Sequence, residues 1–171
     1  MNSSLKPFFN PQGVAILGAS SKPNKLSYGI LENLLKYGYQ GGIYPVNPNA
    51  QEILGVKVYP ELAQVPDPVD LAMIVLPVGM ILDTMQECAD RGIKAVIIIT
   101  GGFREVGGEG AEIERKTLEF AREHGMRVVG PNCVGTMDIR NGLNATFIKG
   151  MPSRGPIAFI SQSGAICGGV V

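Results

Sequence analysis

No stretch of the sequence approaches the roughly 20 consecutive apolar residues needed to span a bilayer, and the opening MNSSLKPFFNPQG lacks the long apolar core of a secretory signal. The expectation is a cytoplasmic protein with no membrane partner. An excess of either charge is also missing, since 15 Lys and Arg balance 15 Asp and Glu. That balance leaves no basic field to draw nucleic acid, although a local cationic pocket is compatible with it. Cysteine is scarce. Cys88, Cys133 and Cys167 are odd in number and widely spaced, with no CxxC or Cys/His pattern, which argues against a disulfide frame or a metal site and for free thiols in a reducing compartment. Histidine occurs once, as His124 in Arg122-Glu123-His124-Gly125, where it reads as a cation at the negative end of a helix dipole with Gly125 as the C-cap. The expected partner is a small molecule or another protein.

What is present is enough for one compact core: 171 residues, 45% of them hydrophobic, with a mean hydropathy of +0.16. Apolar runs rich in β-branched residues recur at Val14 to Leu17, Ile43 to Val46, Leu71 to Leu76, Ala95 to Thr100, Arg127 to Val129 and Ile157 to Ile160. Between them lie groups with helical spacing: Ile30, Leu31, Leu34 and Leu35; Ile81, Met85, Cys88 and Ala89; Ile113, Thr117, Phe120 and Ala121. Strands apolar on both faces that alternate with helices predict an α/β fold, a doubly wound and mainly parallel sheet covered on both sides. The segment from Pro131 to Gly155 breaks the rhythm and reads as a connection leaving the first domain, with only Ala145 to Ile148 strand-like. GPIAFISQSGAICGGVV then restarts a strand, turn and helix. Half of one βα unit cannot bury its own apolar surface, so it either adds to the first sheet or begins a second domain cut short at Val171; the second is the expectation, with self-association or disorder around Ile157 to Val171 as its consequence.

In such folds ligands sit beyond the carboxyl ends of the strands, which makes the loops after each run informative. Gly18-Ala19-Ser20-Ser21-Lys22-Pro23-Asn24-Lys25, leading to a helix start, offers unpaired N–H groups and a helix dipole to a phosphate. It lacks GxxxxGK[ST] and is too long for the compact GxGxxG, so neither a P-loop nor a nicotinamide site is expected. A solvated loop with Ser27 as N-cap is the plainer alternative. The second strand ends in Pro45-Val46-Asn47-Pro48-Asn49, without the carboxylate that an NAD ribose usually meets; Asn47 either serves the ligand or simply initiates an Asn-Pro turn. Thr100-Gly101-Gly102-Phe103 and Gly130-Pro131-Asn132-Cys133 allow close backbone approach and supply hydrogen bonds, while Cys133 has no basic neighbour in sequence to make it a nucleophile. Ser161-Gln162-Ser163-Gly164 follows an apolar run and opens a helix. It is not GxSxG, and a phosphate cradle suits it better than a hydrolase elbow.

Taken together, VAILGAS, the Val46-Asn47-Pro48 turn with Glu52-Ile53-Leu54-Gly55, IIITGGFREVGGEG, VVGPNCVG, GLNATF and IAFISQSGA resemble the α portion of the NDP-forming acyl-CoA synthetases, relatives of the succinyl-CoA synthetase α subunit. The resemblance covers essentially the whole chain in one order. It implies a Rossmann-like CoA-binding domain over residues 1–150, and over 151–171 a linker with the first strand and helix of a truncated flavodoxin-like domain. Family enzymes interconvert acyl-CoA, ADP and phosphate with acid, CoA and ATP through an acyl phosphate and a phosphohistidine.

By the same resemblance, Gly18, Ala19, Ser20, Ser21 and Lys25 would surround the CoA phosphates, and Asn47 and Pro48 the adenosine end. Pro77, Thr100 and Gly101 would line the groove, with Asn132 and Cys133 toward the thiol. Ser161, Ser163 and Gly164 would receive the phosphohistidine. Two departures stand out. Asn49 replaces a lysine common in relatives, so that cation is absent or supplied by Lys25 or Lys22. No histidine here matches the phosphocarrier, since His124 lies in the wrong motif, so the fragment should not complete the reaction. ATP, ADP and Mg2+ would enter only through an ATP-grasp β subunit or downstream domain. The alternatives are a synthetase-like unit fused to an acetyltransferase, a stand-alone CoA-sensing regulator, and an NAD-dependent oxidoreductase, the last disfavoured by Asn47 and the long first loop.

Overall fold

The computed structural model describes residues 3–170; Met1, Asn2 and Val171, at the ends of the two expected domains, lie outside them. Five strands, β1 (Gly13–Leu17), β2 (Gly42–Val46), β5 (Leu71–Ile74), β6 (Ala95–Ile98) and β7 (Arg127–Val129), form an all-parallel sheet in the order β2-β1-β5-β6-β7. These are the first five apolar runs; β5 and β6 stop two residues short of theirs, where the carbonyl end turns into a loop. Strands are added outward from β1 to β2 and then from β5 in the other direction, so the topological switch point, where such folds bind ligands, falls at the carboxyl ends of β1 and β5. Beyond β2 stands a small hairpin, β3 (Glu52–Ile53) with β4 (Val56–Lys57), and a single parallel bridge between Val46 and Tyr59.

Helices α1 (Leu26–Lys36), α2 (Ile81–Asp90) and α3 (Gly108–Glu123) follow β1, β5 and β6. Successive strand residues point to opposite faces, and both faces are buried. Val14, Ile16, Leu71, Met73 and Ile97 pack against Ile30, Leu31 and Leu34 of α1. Ala15, Leu17, Ile74, Val96 and Ile98 pack against Ile81, Met85 and Cys88 of α2 and Ala121 of α3. His124 follows α3 as its C-cap, stacked on Phe120, with Gly125 at φ +62.

Two expectations are corrected. The segment after β7 is not a bare connection: β8 (Gly135–Asp138) and β9 (Leu143–Thr146) form an antiparallel hairpin whose Leu143 and Ala145 join the α1 side of the core. Asn33 of α1 holds it, its Nδ2 donating to the carbonyls of Thr146 at 2.7 Å and Ile148 at 2.9 Å. Ile157 to Ile160, predicted as a strand, carry no regular structure; Ile157 is 88% and Ile160 93% exposed. An apolar run becomes a strand only when a neighbouring strand takes up its backbone hydrogen bonds, and none lies beside it among the described residues. The chain then enters α4 (Gly164–Val170). No described helix is long and apolar enough to cross a membrane.

Candidate functional site

At the end of β1, Gly18 turns the chain with φ +87, and a Cβ there would stand 2.5 Å from the Val75 carbonyl oxygen, so the turn requires glycine. Gly18 and Ala19 donate N–H groups to the Val46 carbonyl, each at 3.2 Å. Asn47 serves both sides of its junction. Its Oδ1 accepts from Asn49 N at 2.8 Å, making the Asn-Pro turn, while its Nδ2 donates to Ala19 O at 2.6 Å and ties the second loop to the first. Pro48 is exposed beside it.

Several of the loop's backbone donors are left without a partner among the described residues. Ser20 Oγ accepts from Lys22 N at 3.2 Å, but the backbone N–H groups of Ser20, Ser21 and Leu26 find no acceptor among the described residues. Helix α1 has Lys25 at its N-cap, in extended conformation and with no side-chain cap bond. Ser27, the alternative cap, is instead within the first turn and 2% exposed. The free amides and the positive helix end thus face solvent together with the exposed side chains of Lys22 and Lys25, which form no ion pair among the described residues. Lys25 also lines a shallow cleft of about 270 Å³ with Tyr28, Glu32, Phe147 and Lys149. Lys149 was not singled out from sequence; it reaches this place only because the β8–β9 hairpin folds back over α1, which no local pattern announces.

Across the edge, backbone and side-chain bonds link the other loops. Val75 N donates to Leu17 O at 2.9 Å, joining β5 to β1. Exposed Pro77 opens a 3-10 turn over Val78–Met80. Thr100 Oγ1 donates to Leu76 O at 2.6 Å, and Asn132, in the left-handed region at φ 52, donates its N–H to Thr100 O at 2.9 Å. A Cβ on Gly101 would sit 3.1 Å from Glu105 Oε1 and 3.3 Å from Asn132 Oδ1. Cys133 Sγ donates to Ile98 O at 3.3 Å. Burial pushes its thiol up to about 11, against a smaller opposing pull from the N–H groups of Gly135 and Cys133 itself, so it is protonated and unsuited to nucleophilic attack at neutral pH.

The structure therefore brings Gly18, Ala19, Ser20, Ser21, Lys25, Asn47, Pro48, Pro77, Thr100, Gly101, Asn132 and Cys133 to one edge, the carboxyl end of the sheet. Ser161 and Ser163 form their own turn, Ser163 N donating to Ser161 Oγ at 3.0 Å. Gly164, at the start of α4, abuts Val134, where a Cβ would lie 3.0 Å from Cγ2. The turn thus stands next in space to the Asn132–Cys133 loop. A residue missed from sequence is Glu105, whose carboxylate accepts from Gly102 N at 2.6 Å and Phe103 N at 3.2 Å. A glutamate a few residues after a Gly-Gly pair was the available signal. A larger groove of about 410 Å³ between α2 and α3 contains none of these residues.

Residues 12–138 match the model of the CoA binding domain. The chain belongs to that family. Over 165 residues this CoA-binding domain is 49% identical to the α subunit of an ADP-forming acetate–CoA ligase II of Pyrococcus furiosus, covering 96% of the chain and 35% of that protein. The α subunit of the ADP-forming acetate–CoA ligase I of the same organism is 46% identical, with 95% of the chain and 36% of that protein covered. The solved structure of the dinucleotide-forming acetyl-coenzyme A synthetase 1 of Ca. Korarchaeum cryptofilum, in complex with phosphate and ADP, superposes with a TM-score of 0.93 at 44% identity, over 99% of this chain and 36% of that one. The CoA-binding domain chain thus spans about a third of the length of each of these proteins. Its donor set fits the ligand: free amides, a helix N-terminus and two lysines suit phosphates at the β1 end, and glycine-rich backbone and a neutral thiol suit an uncharged chain at the β6–β7 end.

Proposed function

We propose that this chain is the CoA-binding portion of an ADP-forming acyl-CoA ligase, in which acyl-CoA, ADP and phosphate are interconverted with acid, CoA and ATP, and that it is catalytically incomplete by itself. The observation that carries this reading is the convergence of five strand-end loops on one edge, within a chain that belongs to the CoA binding domain family and is similar to α subunits named as acetate–CoA ligases. The Ser20 and Ser21 amides and Lys25 hold the phosphates. Asn47 and Pro48 face the adenosine, while Pro77, Thr100 and Gly101 border the groove that leads to Asn132 and Cys133. CoA, when bound, supplies the thiol that carries the acyl group; Cys133, protonated and tied to Ile98 O, takes no covalent part. Ser161, Ser163 and Gly164 act as the phosphate cradle that meets a phosphohistidine supplied by another segment, and ATP, ADP and Mg2+ belong to an ATP-grasp portion in a partner or elsewhere in the protein.

The experiment is calorimetric titration of the purified chain, after a cooperative melt, with CoA, dephospho-CoA and NADH. Saturable CoA binding, weakened by loss of the 3′-phosphate and unmatched by NADH, is expected. Tight NADH binding without CoA binding would overturn the reading.

A further inference from the structure

Two loops on the same sheet edge treat their backbone amides in opposite ways. After β1, the N–H groups of Ser20 and Ser21 are left free among the described residues. After β6, the N–H groups of Gly102 and Phe103 are already taken by the Glu105 carboxylate, at 2.6 Å and 3.2 Å. The bond from Gly102, then those from the amides of Glu105 itself and Phe103, hold this carboxyl below the usual carboxylate range, so it is charged wherever the protein is folded at ordinary pH. Its charge is not cancelled. Neighbouring Arg104 is turned to Glu114, at 2.8 Å, and Glu105 has no ion pair among the described residues.

Glu105 Oε1 and Asn132 Oδ1 converge around Gly101, 3.1 Å and 3.3 Å from where its Cβ would be. The surface there is a pair of acceptors, one of them anionic. The exposed lysines, Lys22 and Lys25, lie at the β1 loop. With β5 between β1 and β6, the two ends are about 10 Å apart along the edge. The edge is therefore electrically polar, cationic with free donors at one end and anionic with filled donors at the other.

We propose that Glu105 is a positioning residue that sets which way round CoA lies, by filling the β6 amides and barring anionic groups from that end of the groove. The inference rests on the reading of this edge as the CoA site. CoA carries its negative charge on the nucleotide half, while its pantetheine arm is uncharged, offers amide N–H donors to acceptors and ends in the thiol. Only one orientation places the phosphates on the free amides and lysines. The same carboxylate then faces the acyl end, where it disfavours an acyl group bearing a second carboxylate.

The test compares acetyl-CoA with succinyl-CoA, alongside CoA, by titration of the wild-type chain and Glu105→Gln at about 20 mM and about 300 mM salt. The glutamine keeps an acceptor for the β6 amides and removes the charge. Wild type is expected to bind acetyl-CoA about fivefold more tightly than succinyl-CoA at low salt, the size of a screened like-charge contact. That ratio should shrink at high salt and fall to within about twofold in Glu105→Gln. A merely structural clamp on the loop would weaken both ligands alike and leave the ratio unmoved. Equal affinity of wild type for the two thioesters, which needs no variant to fold, overturns the proposal, as does a ratio that persists in Glu105→Gln. Failure of a folded chain to bind CoA at all overturns the reading of the site and this inference with it, whereas CoA binding without discrimination overturns the inference alone.

Discussion

Gly18 is the residue on which the site turns, because it combines a left-handed backbone with a neighbouring carbonyl that leaves no room for a methyl group. Gly18→Ala should cost about 2 kcal/mol or more of stability, read by urea unfolding, and should lower CoA affinity as the loop shifts to relieve the contact with Val75. The buried thiols make a second residue-scale prediction. Burial pushes Cys88 up to about 12 and Cys133 up to about 11. Folded values above the unfolded value of about 9 mean that each thiol's contribution is fully present below that pH and is lost as pH rises through the folded values. Urea stability should therefore be flat in these groups near neutral pH and fall between about pH 9 and about pH 12. Cys88→Ala, lower in stability by about 1 kcal/mol at pH 7 through lost burial, should fall less steeply over that range. Alkylation of Cys133 at pH 8 should be much slower than that of free cysteine; an equal rate would contradict its protonated, partly buried state.

At the scale of elements, the α1 face of the sheet depends on the β8–β9 hairpin to close it, and Asn33 is the join. Both carbonyls it serves would lose their donor in Asn33→Ala, one of them buried, so a loss of about 2–3 kcal/mol is expected in urea unfolding. A loss under about 0.5 kcal/mol would mean that the hairpin is held by Leu143 and Ala145 alone. This element is also where reading the sequence fell short. The parallel strands were legible because both faces are buried and their residues are uniformly apolar, as in Leu71 to Ile74. In β9 all four residues are buried too, but two of them are Asn144 and Thr146. Their polar groups satisfy each other and the Gly150 carbonyl, Thr146 Oγ1 bonding Asn144 Oδ1 at 2.7 Å and Asn144 Nδ2 bonding Gly150 O at 2.8 Å. A buried polar strand closed by its own side chains looks like a loop to any hydrophobic pattern. Ile157 to Ile160 is the converse, apolar in sequence yet without a strand partner. Of the site, the glycines and amides at strand ends were visible as composition. Glu105 and Lys149 were not, since their importance depends on which backbone groups and which helix lie across from them.

At the scale of the whole molecule, parallel strands place every strand-end loop on one edge and every entering loop on the other, so a net charge of zero can still produce an edge with local sign. That separation permits a controlled test of where CoA binds. Lys25 lies at the carboxyl edge, at the start of α1, whereas Lys94 lies just before β6 at the opposite edge, donating to the His124 carbonyl at 2.8 Å. Lys25→Ala and Lys94→Ala remove the same charge and change the distant field equally, but only the first removes a cation beside the free amides. Lys25→Ala should weaken CoA binding about tenfold, the loss of roughly 1.5 kcal/mol from one charged hydrogen bond, and should flatten the dependence of affinity on salt. Lys94→Ala should stay within about twofold of wild type, its effect screened over more than one Debye length at physiological salt. The same difference should appear without calorimetry: CoA at about a hundred times its dissociation constant stabilises the fold by about 2.7 kcal/mol and raises the melting temperature by several degrees. At that fixed concentration the shift should be clearly smaller in Lys25→Ala and preserved in Lys94→Ala. Equal losses in the two variants would show that net charge, and not the carboxyl edge of the sheet, governs binding.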